Sequence, residues 1–123
     1  MKTILIVEDN EKNMKLARDI LQVKGYRTVE AATGLAALKA AQEGQPDLIL
    51  MDIQLPDVSG IEVYARLRAE PTTAGIPAIA FTASVTQTDR SRILEAGFAG
   101  YLAKPIDLKE FLQTIGRVLE KAP

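Results

Sequence analysis

The sequence predicts a doubly wound α/β fold, with five parallel strands at the centre and five flanking helices. Three observations carry that expectation. Five short apolar runs alternate with five segments whose apolar residues recur at helical spacing, the βαβ rhythm of a parallel sheet. Two of the runs, "TILIV" and "LILM", are apolar without alternation, as in strands covered on both faces. The 123 residues, 47% apolar and 25% charged, suit one domain, residues 1–123, with a substantial core.

"TILIVED" at residues 3–9 reads as the first strand. The helix after it is expected to turn Leu16, Ile20 and Val23 inward and to stop at Gly25, a C-terminal capping residue. "RTVEAA" (27–32) is a weaker second strand. Thr33 can cap the next helix, with Leu35, Leu38 and Ala41 facing the sheet and Gly44 and Pro46 ending it before the third strand, "PDLILMD". A helix from about Ser59 to Glu70 follows "LPDVSG", with Ile61, Tyr64 and Leu67 as its inner stripe. The stretch from Pro71 to Gly75 is turn-rich but too short to separate domains. "PAIAFTA" (77–83) is the fourth strand, a helix runs from about Gln87 to Ala96, and "GYLAKP" (100–105) is the fifth strand. Asp107 is the expected N-cap of the last helix, which points Phe111, Leu112, Ile115, Val118 and Leu119 inward.

Composition excludes several kinds of function. Lys plus Arg total 15 and Asp plus Glu 16, so a net charge of -1 offers no general attraction to nucleic acid or anionic membrane, and no basic patch stands out. No apolar run approaches the roughly 20 residues of a membrane span. Met1-Lys2 leads straight into a strand without a signal-peptide pattern, so a cytoplasmic chain is expected. There is no cysteine, which removes disulfides and thiolate chemistry. There is no histidine either, which removes Ser-His-Asp catalysis, His-ligated zinc and an internal phosphohistidine. Carboxylates, hydroxyls and lysines remain, and any bound metal should be a hard ion held by oxygen.

In an open parallel sheet, ligands bind beyond the carboxyl ends of the strands, where the strand order reverses. The chemically conspicuous residues all fall there: Glu8-Asp9, Asp52, Thr82-Ala83-Ser84 and Lys104-Pro105. With the flavodoxin-like order 2-1-3-4-5, the first and third strands are neighbours and three carboxylates converge. Such a cluster repels itself unless a cation or proton intervenes. Mg²⁺ relieves that repulsion while keeping waters and phosphate oxygens, and Lys104 with the Thr82 hydroxyl could grip a phosphoryl group opposite it. Asp52 is then placed as a nucleophile that accepts phosphate with metal assistance.

These residues resemble the receiver domains of two-component response regulators, the CheY-like superfamily. The resemblance spans the chain, from "ILIVEDN" through "PDLILMDIQLPDVSGIEV" and "IPAIAFTA" to "YLAKPI". Four weak motifs in the right order at four successive strand ends make a specific signal. The resemblance implies that Asp52 is the phosphoacceptor, Asp9 a direct Mg²⁺ ligand, Glu8 a ligand through water, and the Gln54 backbone carbonyl the last protein ligand. Mn²⁺ is the alternative ion. It further implies that Thr82 and Lys104 contact phosphoryl oxygens, that Pro105 follows a cis peptide, and that Tyr101 turns inward when Thr82 moves. Glu8 stands where many members have a second aspartate. Gln54 and Ser84 occupy the positions that tune phosphoryl lifetime, and neither is an obvious group to orient attacking water.

Each residue also has a purely structural reading. Glu8-Asp9-Asn10 could cap the first helix, Asp52 could be a hydrogen-bonded strand end, Thr82 a β-branched strand residue, Lys104 solvated surface, Pro105 a strand terminator and Tyr101 half-buried packing. Two enzyme or cofactor readings compete with the receiver. A phosphatase of the haloacid-dehalogenase type would need a general acid where Gln54 stands, and a cap domain that the length does not accommodate. A flavin module would meet repulsion between Glu8-Asp9 and the flavin phosphate.

As a receiver the chain would not be an enzyme beyond its own phosphorylation and dephosphorylation. It would take its phosphoryl group from a histidine kinase or histidine phosphotransfer protein and act on a downstream protein target. The donor is expected to dock on Asn10, Asn13, Met14 and Ala17 with Pro105-Ile106. Phosphorylation would reshape the face of helix four, strand five and helix five, leaving a monomer or forming a dimer. A freestanding protein is favoured by the Met1 start and the end at residue 123, with a domain excised from a hybrid histidine kinase as the alternative.

Overall fold

A computed structural model describes residues 1–83 and 86–121. The elements run β1 (Thr3–Val7), α1 (Glu11–Val23), β2 (Arg27–Ala31), α2 (Gly34–Gly44), β3 (Leu48–Asp52), α3 (Gly60–Ala69), β4 (Ala78–Thr82), α4 (Gln87–Glu95), β5 (Gly100–Ala103) and α5 (Leu108–Lys121). All four strand pairings are parallel and the order is β2-β1-β3-β4-β5, as the sequence predicts.

Strand alternation divides the core into two layers. Leu5, Val7, Ile49, Met51, Ala78 and Ala80 pack against α2, α3 and α4, through residues such as Ala37, Val63, Leu67 and Ile93. Ile4, Ile6, Leu48, Leu50, Ile79, Phe81 and Leu102 face α1 and α5, meeting Leu21, Phe111 and Ile115. Every residue of β3 and β4 is buried, which is why "LILMD" and "AIAFT" lack polar alternation. Truncating one of these, such as Leu50→Ala, removes about 2–5 kcal/mol of stability.

Capping sets where the helices start. Thr33 accepts the Ala36 N–H and Asp107 the Glu110 N–H, each at 3.1 Å. Gly25 follows α1 at φ +91°, a left-handed conformation that glycine adopts without strain.

Two inner stripes differ from expectation. On α1, Leu16 and Val23 are exposed (47% and 85%), while Met14, Ala17 and Leu21 are buried. On α2, Leu35 is 62% exposed, while Gly34, Ala37 and Ala41 are buried. Both sets satisfy helical spacing; on α2 the buried set is the one with small residues, because small side chains allow close approach. A Cβ on Gly34 would overlap Val58 and reach within 2.8 Å of Val63. The stripes expected on α3 and α5 are inward, with Ile61 and Leu112 only partly buried.

Candidate phosphoryl and metal site

The adjacency of β1 and β3, with Val7 opposite Met51, brings Glu8, Asp9 and Asp52 together beyond the strand ends. One oxygen from each carboxylate lies within 4.8 Å of the others. Glu8 and Asp52 are buried, 2% and 3% exposed, whereas Asp9 faces solvent. Helix capping does not occupy the acidic pair: Asn10 is the N-cap, its side chain accepting the Asn13 N–H at 3.0 Å. Glu8 Oε2 in turn accepts the Asn10 N–H at 3.1 Å.

Lys104, just past β5, is the counter-ion. Its ammonium lies 2.6 Å from Glu8 Oε1 and 3.1 Å from Asp52 Oδ2, and 5.1 Å from the centre of the Phe81 ring beneath it. The Lys104 N–H donates to the Thr82 carbonyl at 2.9 Å, continuing the β4–β5 ladder, and the Lys104-Pro105 peptide is cis. The Lys104 ion pair is the contact that Glu8 Oε1 makes.

One ammonium thus faces two buried carboxylates. Burial pushes the Glu8 carboxyl up, Lys104 offsets only part of this, and the Asp52 charge adds to it. Burial works against the charge on Lys104, but its pairing with Glu8 and Asp52 outweighs that and raises its pKa. The site carries excess negative charge, three carboxylates against one ammonium. Three hard oxygen donors, one of them open to water, suit an ion such as Mg²⁺ that retains part of its hydration shell.

Asp52 Oδ1 accepts the Gln54 N–H at 3.0 Å, and Gln54 itself is exposed. Thr82 ends β4, is 1% exposed and lies opposite Ala103. Gln54 and Thr82 also line a cleft of about 560 Å³ between the β3–α3 loop and α4. Tyr101 in β5 is half-buried, with the Arg90 guanidinium 5.3 Å from its ring centre. Ser84 lies outside the described residues. Within the expected donor-docking face, Ala17 needs correction because it is fully buried against the sheet, and Met14 is only 7% exposed, whereas Asn10 and Pro105 are exposed and Asn13 and Ile106 partly so.

Three contributors were not evident from sequence. Phe81 supplies the ring under Lys104, Arg90 covers Tyr101, and Asp57 ties the β3–α3 loop to α2. Only Asp57 had a local signal, an acid in the turn "LPDVSG", and that signal did not reveal its partner 23 residues away.

The response regulator receiver domain family matches residues 4–116, and the chain belongs to it. It is a receiver domain of phosphorylation-based two-component signalling. Among curated relatives, the polar-differentiation response regulator DivK of Brucella ovis is 48% identical over 121 residues, 98% of each chain. A CheY-like receiver domain protein from Methanospirillum hungatei JF-1 superposes with a TM-score of 0.92 at 29% identity, covering 99% of this chain and 96% of its own. The receiver domain of a sensor histidine kinase from Pseudomonas aeruginosa PAO1 gives a TM-score of 0.85 at 36% identity, covering 98% and 96%. That structure has a magnesium ion coordinated in the active-site cleft. No helix among the described residues is long and apolar enough to cross a membrane.

Proposed function

We propose that Asp52 is the phosphoacceptor and that Glu8, Asp9, Asp52 and the Gln54 carbonyl hold Mg²⁺. The carrying observation is the position of Asp52: buried at a strand end, within 4.8 Å of two further carboxylates and 3.1 Å from Lys104. An Asp52 oxygen forms the new O–P bond as the N–P bond of a partner's phosphohistidine breaks. Bound Mg²⁺ would neutralise the carboxylates and the phosphoryl oxygens. Lys104 stabilises the transferred charge from the β5 side, and the Thr82 hydroxyl donates to a phosphoryl oxygen. Tyr101 reports the movement of Thr82 to the face of α4, β5 and α5, where a downstream protein binds. The donor is a histidine kinase or histidine phosphotransfer protein in the cytoplasm.

Intact-protein mass after incubation with acetyl phosphate and Mg²⁺ tests this reading. A gain of one phosphoryl group in wild type, lost in Asp52→Asn and after EDTA, is expected. Retained labelling in Asp52→Asn sinks the assignment. Repeating the reaction with Mn²⁺ establishes whether that ion serves as the alternative.

A further inference from the structure

The β3–α3 loop, residues 53–59, is tied down at three points. At its start, the Gln54 N–H donates to Asp52 Oδ1 at 3.0 Å. At its end, the Gly60 N–H donates to the Ile53 carbonyl at 2.9 Å, and the fit is so close that a Cβ on Gly60 would overlap the Asp52 carbonyl oxygen. In the middle, Asp57 leaves its own loop and bonds to another element. Its Oδ1 accepts the Gly34 N–H at 2.8 Å and its Oδ2 the Leu35 N–H at 3.0 Å.

Those two N–H groups belong to the first turn of α2, where the helix offers no acceptor of its own. Thr33 satisfies only the Ala36 N–H, so the remaining capping comes from a carboxylate 22–23 residues along the chain. Bonds from amides to an ionised carboxylate are stronger than neutral ones. Contact closes the joint further, since a Cβ on Gly34 would overlap Val58 and come within 3.2 Å of Asp57 Oδ1. Only Leu55 and Pro56 separate the clamp from Gln54, and the proline ring fixes its own φ.

We infer that Asp57 is a positioning residue for the metal site: by clamping the β3–α3 loop to the N-terminus of α2, it fixes the Gln54 carbonyl as a ligand. The inference rests on the Mg²⁺ ligand set proposed above. Asp57 touches neither metal nor phosphate. It acts through the short segment it restrains, as outer-shell partners do when they orient a ligand.

The test is Mg²⁺ titration followed by amide NMR shifts in wild type, Asp57→Ala, Asp57→Asn and Gly34→Ala, with hydrogen exchange at residues 34 and 35. Asp57→Ala and Asp57→Asn remove the same charge, but the single asparagine oxygen can still accept from one of the two helix amides. Gly34→Ala forces the joint apart with no change of charge. Mg²⁺ affinity about tenfold weaker in Asp57→Ala and Gly34→Ala, with Asp57→Asn intermediate, is the expected pattern. Equal weakening in both Asp57 variants together with wild-type affinity in Gly34→Ala assigns the effect to charge and overturns the inference. Unchanged affinity in Asp57→Ala with faster exchange at residues 34 and 35 reduces Asp57 to a helix cap and also overturns it, as does unchanged affinity in Gly34→Ala. Wild type that shows no Mg²⁺-dependent shifts overturns the metal site and this inference together.

Discussion

Lys104→Met keeps an aliphatic stem over Phe81 while leaving Glu8 and Asp52 buried without their cation. At the outer separation of 4.8 Å, two ionised carboxylates repel by about 3 kcal/mol at an effective dielectric of about 20. Protonating Glu8 is the available escape, because burial already raises its pKa. Keeping a carboxyl of ordinary pKa 4.5 neutral at pH 7 costs about 3 kcal/mol, which caps the loss. At pH 5 the same cap falls below about 1 kcal/mol. A raised folded pKa leaves stability intact below the unfolded value and removes it as pH rises through the folded value. Losing Lys104 removes the contact that lowers the Glu8 pKa, so the variant's penalty grows over a wider pH range than that of wild type. Urea unfolding in EDTA, followed by far-UV circular dichroism, should show a small gap at pH 5. By pH 7 it should widen to about 3 kcal/mol, or on the order of 10 °C in Tm. A gap equal at both pH values refutes the counter-ion role and leaves only packing.

The same electrostatics predicts that Mg²⁺ raises the wild-type Tm more at pH 7.5 than at pH 5, where protons compete more strongly for the raised Glu8 carboxyl; differential scanning fluorimetry reads the difference. The Asp57 carboxyl is held below the usual range, chiefly by the Gly34 amide and then by that of Leu35. Its contribution is therefore present above the unfolded pKa and lost as pH falls through the lower folded value, so Asp57→Asn should flatten the acid limb of a Tm-against-pH profile. Gly60→Ala drives a methyl group into the Asp52 carbonyl and should destabilise the fold by about 3 kcal/mol, measured by urea unfolding.

What sequence could convey follows from the range of each interaction. Strands β3 and β4 were legible because burial on both faces leaves no polar residue to interrupt the run. The cluster's location was legible because parallel topology collects strand ends, so Glu8, Asp52 and Lys104 needed only the correct strand order to meet. The inner faces of α1 and α2 were not. On α1, Leu16 and Val23 satisfy the same spacing as the buried Met14, Ala17 and Leu21; on α2, Leu35 looks like a better core residue than Gly34, yet the close approach of Val58 and Val63 leaves no room for a side chain there. Asp57 was illegible for another reason: its partners are backbone amides, and every residue except proline carries one.

Lys104 matters to the proposed switch because its charge is already committed. In the unphosphorylated site its ammonium is shared between Glu8 Oε1 and Asp52 Oδ2. A phosphoryl group on Asp52 adds negative charge to a cluster already short of cations, and Lys104 can approach it only by loosening one of these pairs. If the Glu8 pair loosens, a buried carboxylate whose pKa is already raised by burial loses its main compensation. It must then take up a proton or lean on a metal ion. Phosphate and metal are therefore expected to bind with positive coupling, and metal-free protein should accept phosphate poorly even when Asp52, Thr82 and Lys104 are all in place.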